Sequence, residues 1–246
     1  MGKHIVILGN SVPLKIRPPR RLDDDRTYAE ILRDEGWHVE NHSCAATTIL
    51  EGYRCFDDNV VSCQPDYLLI HYGIVEACLR RQFRHLYYSK FRNIYPNGVL
   101  GHSFRARGLH SYARSLFFGV LSFLIEKLAR VFKIQWRWVG DAAFMECLQE
   151  MVNLTIKETR ARIVIVGISP CNQRIQRHLP GSQDNILLLN EKMQSLALAY
   201  PQRVRYLDAV ALCQGSSLDD IVPDGIHFSA EGHRRLAVAL SEVLRE

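Results

Sequence analysis

Five short apolar runs, each bounded by turn-forming residues and separated by stretches of helical period, constrain this chain more than any other feature. The runs are His4–Gly9, Trp37–Ser43, Tyr67–Gly73, Arg162–Ser169 and Val204–Ala209. Between them, Asp25–Glu35, Ala142–Thr159 and Asn185–Tyr200 carry helical period. Ala230–Arg245 closes the chain, with Ser229 placed to cap it. Strands that alternate with helices predict a parallel sheet covered on both faces. Reactive groups in such a sheet gather in the loops at the carboxyl ends of the strands.

The stretch from Ala77 to Gly140 breaks the alternation. It opens polar and basic, passes through Asn97-Gly98 and Gly101, and becomes amphipathic from Tyr112 to about Trp138. There Leu116, Val120, Leu124, Leu128 and Val131 or Phe132 recur at helical spacing. Too long for an ordinary connection, it is expected to elaborate the active face or to form a long helix packed on the sheet. Charge singles out the same stretch. Between Leu79 and Trp138 twelve Lys or Arg stand against one acid, Glu126, so the segment carries +11 of a chain whose net charge is +5, and the remainder carries −6. The insert reads as a solvated lid, as a contact for an anionic glycan or nucleotide-linked substrate, or as a helix docking at a membrane interface. Nucleic acid is not an expected partner, because no recognised binding module is present and the charge sits in one insertion.

A chain of 246 residues has room for one substantial α/β domain and little for a second. Residues 1–246 therefore read as a single domain with a basic, partly helical insert at about 77–140. The seven cysteines (Cys44, Cys55, Cys63, Cys78, Cys147, Cys171 and Cys213) are odd in number and form no C-x-x-C pair. Reduced thiols are expected, with no metal site and no cofactor. The apolar run Ile5–Leu8 is too short for a signal peptide, and Leu116–Ile125 is about half a membrane span. The expected location is the cytoplasm, with the membrane periphery as a variant of it.

Two motifs carry candidate chemistry. Ser11 follows the first run in Leu8-Gly9-Asn10-Ser11-Val12-Pro13, where Gly9 lets the chain turn and backbone N–H groups lie near the hydroxyl. Asp224-Gly225-Ile226-His227 precedes the last helix. A carboxylate three residues before a histidine can orient the imidazole, leaving the other ring nitrogen to take a proton from a serine. Each motif alone is common. Their conjunction is not, because in a doubly wound sheet both loops reach one edge.

On these residues the chain resembles the SGNH (GDSL-type) hydrolases, whose first block is usually Gly-Asp-Ser and whose last is Asp-x-x-His. The likeness runs from Ile5 to about Leu240, excluding the insert. It implies a flavodoxin-like three-layer α/β/α sandwich around a central parallel five-stranded sheet. It also implies a catalytic triad of Ser11, Asp224 and His227. The family's second block falls on Asn41–Thr48 with Ala46 at the glycine position, and the third on Gly73-Ile74-Val75-Glu76, with Val75 where an asparagine would donate to the oxyanion. The implied oxyanion hole is Ser11, Ala46 and Gly73. Losing the asparagine donor costs about 10²–10³ in rate unless another donor replaces it. Candidate substrate-binding residues are Asn10, Val75, Glu76, Arg80 and Arg17, the last in the proline-stiffened Arg17-Pro18-Pro19-Arg20-Arg21. The blocks Gly9-Asn10-Ser11-Val12 and Gly73–Glu76, followed by Cys78 and Arg80-Arg81, resemble a bacterial subgroup linked to surface-polysaccharide biosynthesis.

The resemblance implies a serine esterase acting through an acyl-enzyme on an O-acylated, for example O-acetylated, sugar or polysaccharide precursor. The same triad would serve an O-acyltransferase, and the missing asparagine suits a non-catalytic glycan-binding module that keeps the fold.

Overall fold

The apolar runs pair as their alternation with helices predicts. A computed structural model describes residues 2–15, 26–81, 83 and 109–246. Its strands are β1 (His4–Gly9), β2 (His38–Asn41), β3 (Tyr67–His71), β4 (Arg162–Val166) and β5 (Val204–Leu207). They form one sheet in the order β2-β1-β3-β4-β5, and every pairing is parallel. This is the flavodoxin-like arrangement. Ile5, Val6, Ile7 and Leu8 of the central strands are buried on both faces, as are Leu68, Leu69 and Ile70. That is why these runs read as continuously apolar rather than alternating.

Helices cover each face. Tyr28–Asp34 packs with Ala230–Arg245 on one side, and Ile49–Arg54, Asp141–Glu158 and Ser182–Ala199 pack together on the other. The first of these starts at a capping box in which Thr27 accepts from the Glu30 N–H and Glu30 accepts from the Thr27 N–H. Ala230–Arg245 starts where Ser229 Oγ accepts from the Gly232 N–H at 3.1 Å.

Several strands end earlier than their apolar runs. β2 stops at Asn41 because that side chain ties the chain into a loop: its Oδ1 accepts from the Ser43 N–H at 3.1 Å and its Nδ2 donates to the Pro13 carbonyl at 3.1 Å. β4 stops at Val166 because the backbone of Ile168 pairs instead with the Asn190 amide, at 2.8 and 2.9 Å. Sequence periodicity does not reveal the helices Ile49–Arg54, Ile74–Ala77, Gln173–His178 and Leu218–Ile221. Four to six residues are too few to display a period.

The insert is helical over Leu109–Val131 and returns to the body through an antiparallel bridge in which Arg80 and Trp136 exchange backbone hydrogen bonds of 2.8 and 2.7 Å. Its apolar stripe does not pack on the sheet. Leu116, Val120, Leu124 and Leu128 are more than half exposed, whereas the small residues Ser122 and Ala129 are buried. All seven cysteines are free thiols.

Candidate functional site

Ser11 and His227 lie 216 positions apart and meet at the carboxyl edge of the sheet. Ser11 follows β1, and its Oγ lies 2.7 Å from His227 Nε2. On the other side of the ring, His227 Nδ1 lies 2.7 Å from Asp224 Oδ2. Asp224 Oδ1 accepts from the backbone N–H groups of Ile226 and His227, at 2.9 and 2.7 Å.

Burial alone would raise the Asp224 carboxyl. The hydrogen bonds and charge of His227 and the two backbone donors outweigh that and hold it well below the usual carboxylate range. The carboxylate therefore stays ionised and accepts a proton-bearing Nδ1, which leaves Nε2 as an acceptor facing the serine hydroxyl. Serine, imidazole and carboxylate form an unbroken relay able to take the hydroxyl proton.

Local sequence builds this geometry. Gly225 sits at φ +82°, and a Cβ there would lie 2.4 Å from both Asn172 Oδ1 and Ile175 Cγ1. Only glycine fits that corner, which brings Asp224 round to its own histidine. Gly9 is needed for room rather than for an unusual turn: a Cβ would lie 2.8 Å from Pro13 Cγ and 3.0 Å from Ser43 Oγ. Asn10 is fully buried, and its Oδ1 accepts from the Val12 N–H at 3.1 Å, so it shapes the turn that presents Ser11. The Asn10 Nδ2 is buried without a partner among the described residues.

Three expectations need correction. Gly73 does not offer its N–H to an oxyanion, because that group donates to Glu76 Oε2 at 3.1 Å. Glu76 does not face a substrate: it is buried, and its Oε1 accepts from the Ile49 N–H at 2.7 Å, tying two helix starts together. Val75 points into the hydrophobic core, where an apolar side chain gains by leaving water. A glutamate three residues after Gly73, like Glu51 after Thr48, is the capping signal that could have assigned Glu76 to structure.

Arg80 is placed with its guanidinium over the Trp138 ring, 5.2 Å from the centroid, beside a cavity of about 270 Å³. Arg17 and the rest of Arg17–Arg21 lie outside the described residues, as does Arg84. Sequence reasoning missed the buried group behind the site, in which the Tyr28 hydroxyl lies 3.2 Å from His71 Nδ1 and the Tyr28 N–H donates to His233 Nδ1 at 3.3 Å. Burial, reinforced by repulsion between imidazoles, pushes His71 down to about 3 and His233 down to about 4, so both are neutral donors and acceptors at neutral pH.

Ala46 adopts φ +60°, the left-handed conformation that its family position would ordinarily give to glycine. An alanine Cβ costs roughly 1–2 kcal/mol there. Ala46→Gly is therefore expected to stabilise the protein by about 1 kcal/mol, seen as a rise in Tm of about 2–4 °C. A lower Tm would show that the Cβ is worth more in packing than it costs in strain.

The model of the GDSL-like lipase/acylhydrolase family matches residues 7–235. Among solved structures, a GDSL-like lipase from Bacteroides thetaiotaomicron is similar at 11% identity and TM-score 0.60, over 99% of this chain and 88% of that one. A lipase/acylhydrolase from Enterococcus faecalis is similar at 16% identity and TM-score 0.60, over 98% and 95%. An acetylxylan esterase from Geobacillus stearothermophilus is similar at 14% identity and TM-score 0.58, over 97% and 92%. No curated protein matches the sequence significantly.

Proposed function

The chain belongs to the GDSL-like lipase/acylhydrolase family and is a serine ester hydrolase; from that premise we propose that Ser11, His227 and Asp224 catalyse hydrolysis of an O-acylated sugar or polysaccharide precursor. The observation that carries the assignment of residues is the relay itself, with 2.7 Å from hydroxyl to imidazole and 2.7 Å from imidazole to carboxylate.

As Ser11 Oγ attacks the ester carbonyl carbon, its proton passes to His227 Nε2, and Asp224 stabilises the imidazolium. The tetrahedral adduct collapses when His227 protonates the departing alcohol oxygen, which leaves the acyl group on Ser11. Water then enters, gives a proton to His227 and attacks the acyl carbon. Ser11 leaves with the returned proton, and the free acid departs. The backbone N–H groups of Ser11 and Ala46 are the proposed donors to the oxyanion. With Gly73 committed to Glu76 and Val75 in the core, the side-chain donor of the third block is missing, so a low kcat is expected.

A sugar ester as substrate is supported by the likeness to an acetylxylan esterase, and an anionic one by the basic insert. Activity should appear on p-nitrophenyl acetate to butyrate and fall by at least about 10³ in Ser11→Ala. Equal rates for the two proteins, or a fluorophosphonate label on another serine, would remove Ser11 as the nucleophile. Release of acetate from acetylated oligosaccharides checks the sugar, and its absence beside intact p-nitrophenyl activity would remove only that part.

A further inference from the structure

The helix Leu109–Val131 is built inside out. The stripe that faces solvent holds large apolar side chains, with Leu116, Val120, Phe123, Leu124, Leu128 and Val131 each more than half exposed. The stripe turned toward the body holds the small residues Ser122 and Ala129. No other described element packs extensively along this helix. Water-soluble chains rarely leave so long an apolar stripe uncovered unless something binds it.

Charge says what that is. Lys127, Arg130 and Lys133 flank the stripe, the segment Leu79–Trp138 carries +11, and Glu126 is its one acid. Where Arg130 meets the body, it shares the cavity of about 270 Å³ with Arg80, Arg81, Glu126, Trp138 and His178. The Nε atoms of Arg80 and Arg81 are buried and have no hydrogen-bond partner among the described residues. Two copies of this chain joined through their stripes would bring two strongly cationic segments together in one interface. A surface of anionic phospholipid would cover the apolar side chains and neutralise the cations at once. No helix among the described residues is long and apolar enough to cross a membrane.

We propose that Leu109–Val131 is an interfacial helix that seats the protein on anionic phospholipid, its apolar stripe at the level of the acyl chains. Its cations, with Arg80 and Arg81 behind them, engage the headgroup phosphates. The inference is independent of the assignment of Ser11.

Co-sedimentation of the full chain with vesicles of phosphatidylcholine and phosphatidylglycerol tests it, with phosphatidylcholine vesicles alone and inorganic phosphate as a competitor. Binding is expected only to the anionic vesicles, weakening as salt rises and not displaced by millimolar phosphate. Each cation near such a surface contributes a factor of about five, so Lys127→Ala with Lys133→Ala should lower partitioning about twenty-five-fold. Leu124→Asp with Leu128→Asp alters exposed positions and should abolish binding with Tm unchanged. Binding that ignores both pairs of substitutions would overturn the proposal. So would a self-associating protein that vesicles do not capture and that Leu124→Asp with Leu128→Asp renders monomeric, which would assign the stripe to a second copy.

Discussion

Asp224→Asn is expected to lower kcat on a p-nitrophenyl ester by about 10⁴ while leaving KM and Tm nearly unchanged. The replacement keeps an oxygen for the backbone N–H groups of Ile226 and His227, which lie 2.9 and 2.7 Å from Asp224 Oδ1, so the loop holds its shape. What changes is the atom opposite His227 Nδ1. An amide NH₂ placed there donates, so Nδ1 must accept and the imidazole proton moves to Nε2. Nε2 then presents a hydrogen to Ser11 Oγ and cannot take the hydroxyl proton. Charge is lost as well, because no carboxylate remains to stabilise the imidazolium. Asp224→Ala lacks the acceptor altogether and should lower Tm in addition. A kcat for Asp224→Asn within tenfold of wild type would mean that the carboxylate orients nothing and that the relay is not the path of the proton.

What could be read from the chain, and what could not, follows from how far each signal reaches. β1 and the final helix were legible to the residue, because a buried parallel strand is uniformly apolar and Ser229 caps in a recognisable way. The Ser11–His227 contact rests on topology, since it is the parallel sheet that brings chain positions 216 apart to one edge here. The third block misled because Gly73, Val75 and Glu76 carry residue types that serve a site or a core equally well. Identity alone does not say that the Gly73 N–H donates to a carboxylate three residues on. The insert misled for a different reason. Periodicity reports that a helix has an apolar stripe, but not which way the stripe faces, and here it faces outward.

Glu76 should make the protein less stable as pH rises from about 5 to about 8. Burial pushes its carboxyl up to about 7, against the opposing pull of the Ile49 and Gly73 N–H groups and of Arg80. In the unfolded chain the same group titrates near the ordinary glutamate value of about 4.3. Between those two values folding takes up a proton, so the stabilisation is complete below the unfolded pKa and is lost as pH rises through the folded one. The difference corresponds to about 2–4 kcal/mol. Glu76→Gln cannot titrate, so wild type should lose about 2–4 kcal/mol relative to Glu76→Gln over the same interval. Whatever His71 and His233, neutral in the fold, add as pH rises is equal in both proteins, and the lost acceptor costs the same at every pH. Glu76→Ala leaves the Ile49 and Gly73 N–H groups buried without a partner and should cost about 2–5 kcal/mol throughout. Urea unfolding of the three proteins at pH 5, 6.5 and 8 separates these effects. If the difference between wild type and Glu76→Gln is the same at all three pH values, Glu76 takes up no proton on folding and is an ionised cap on two helices rather than a buried acid.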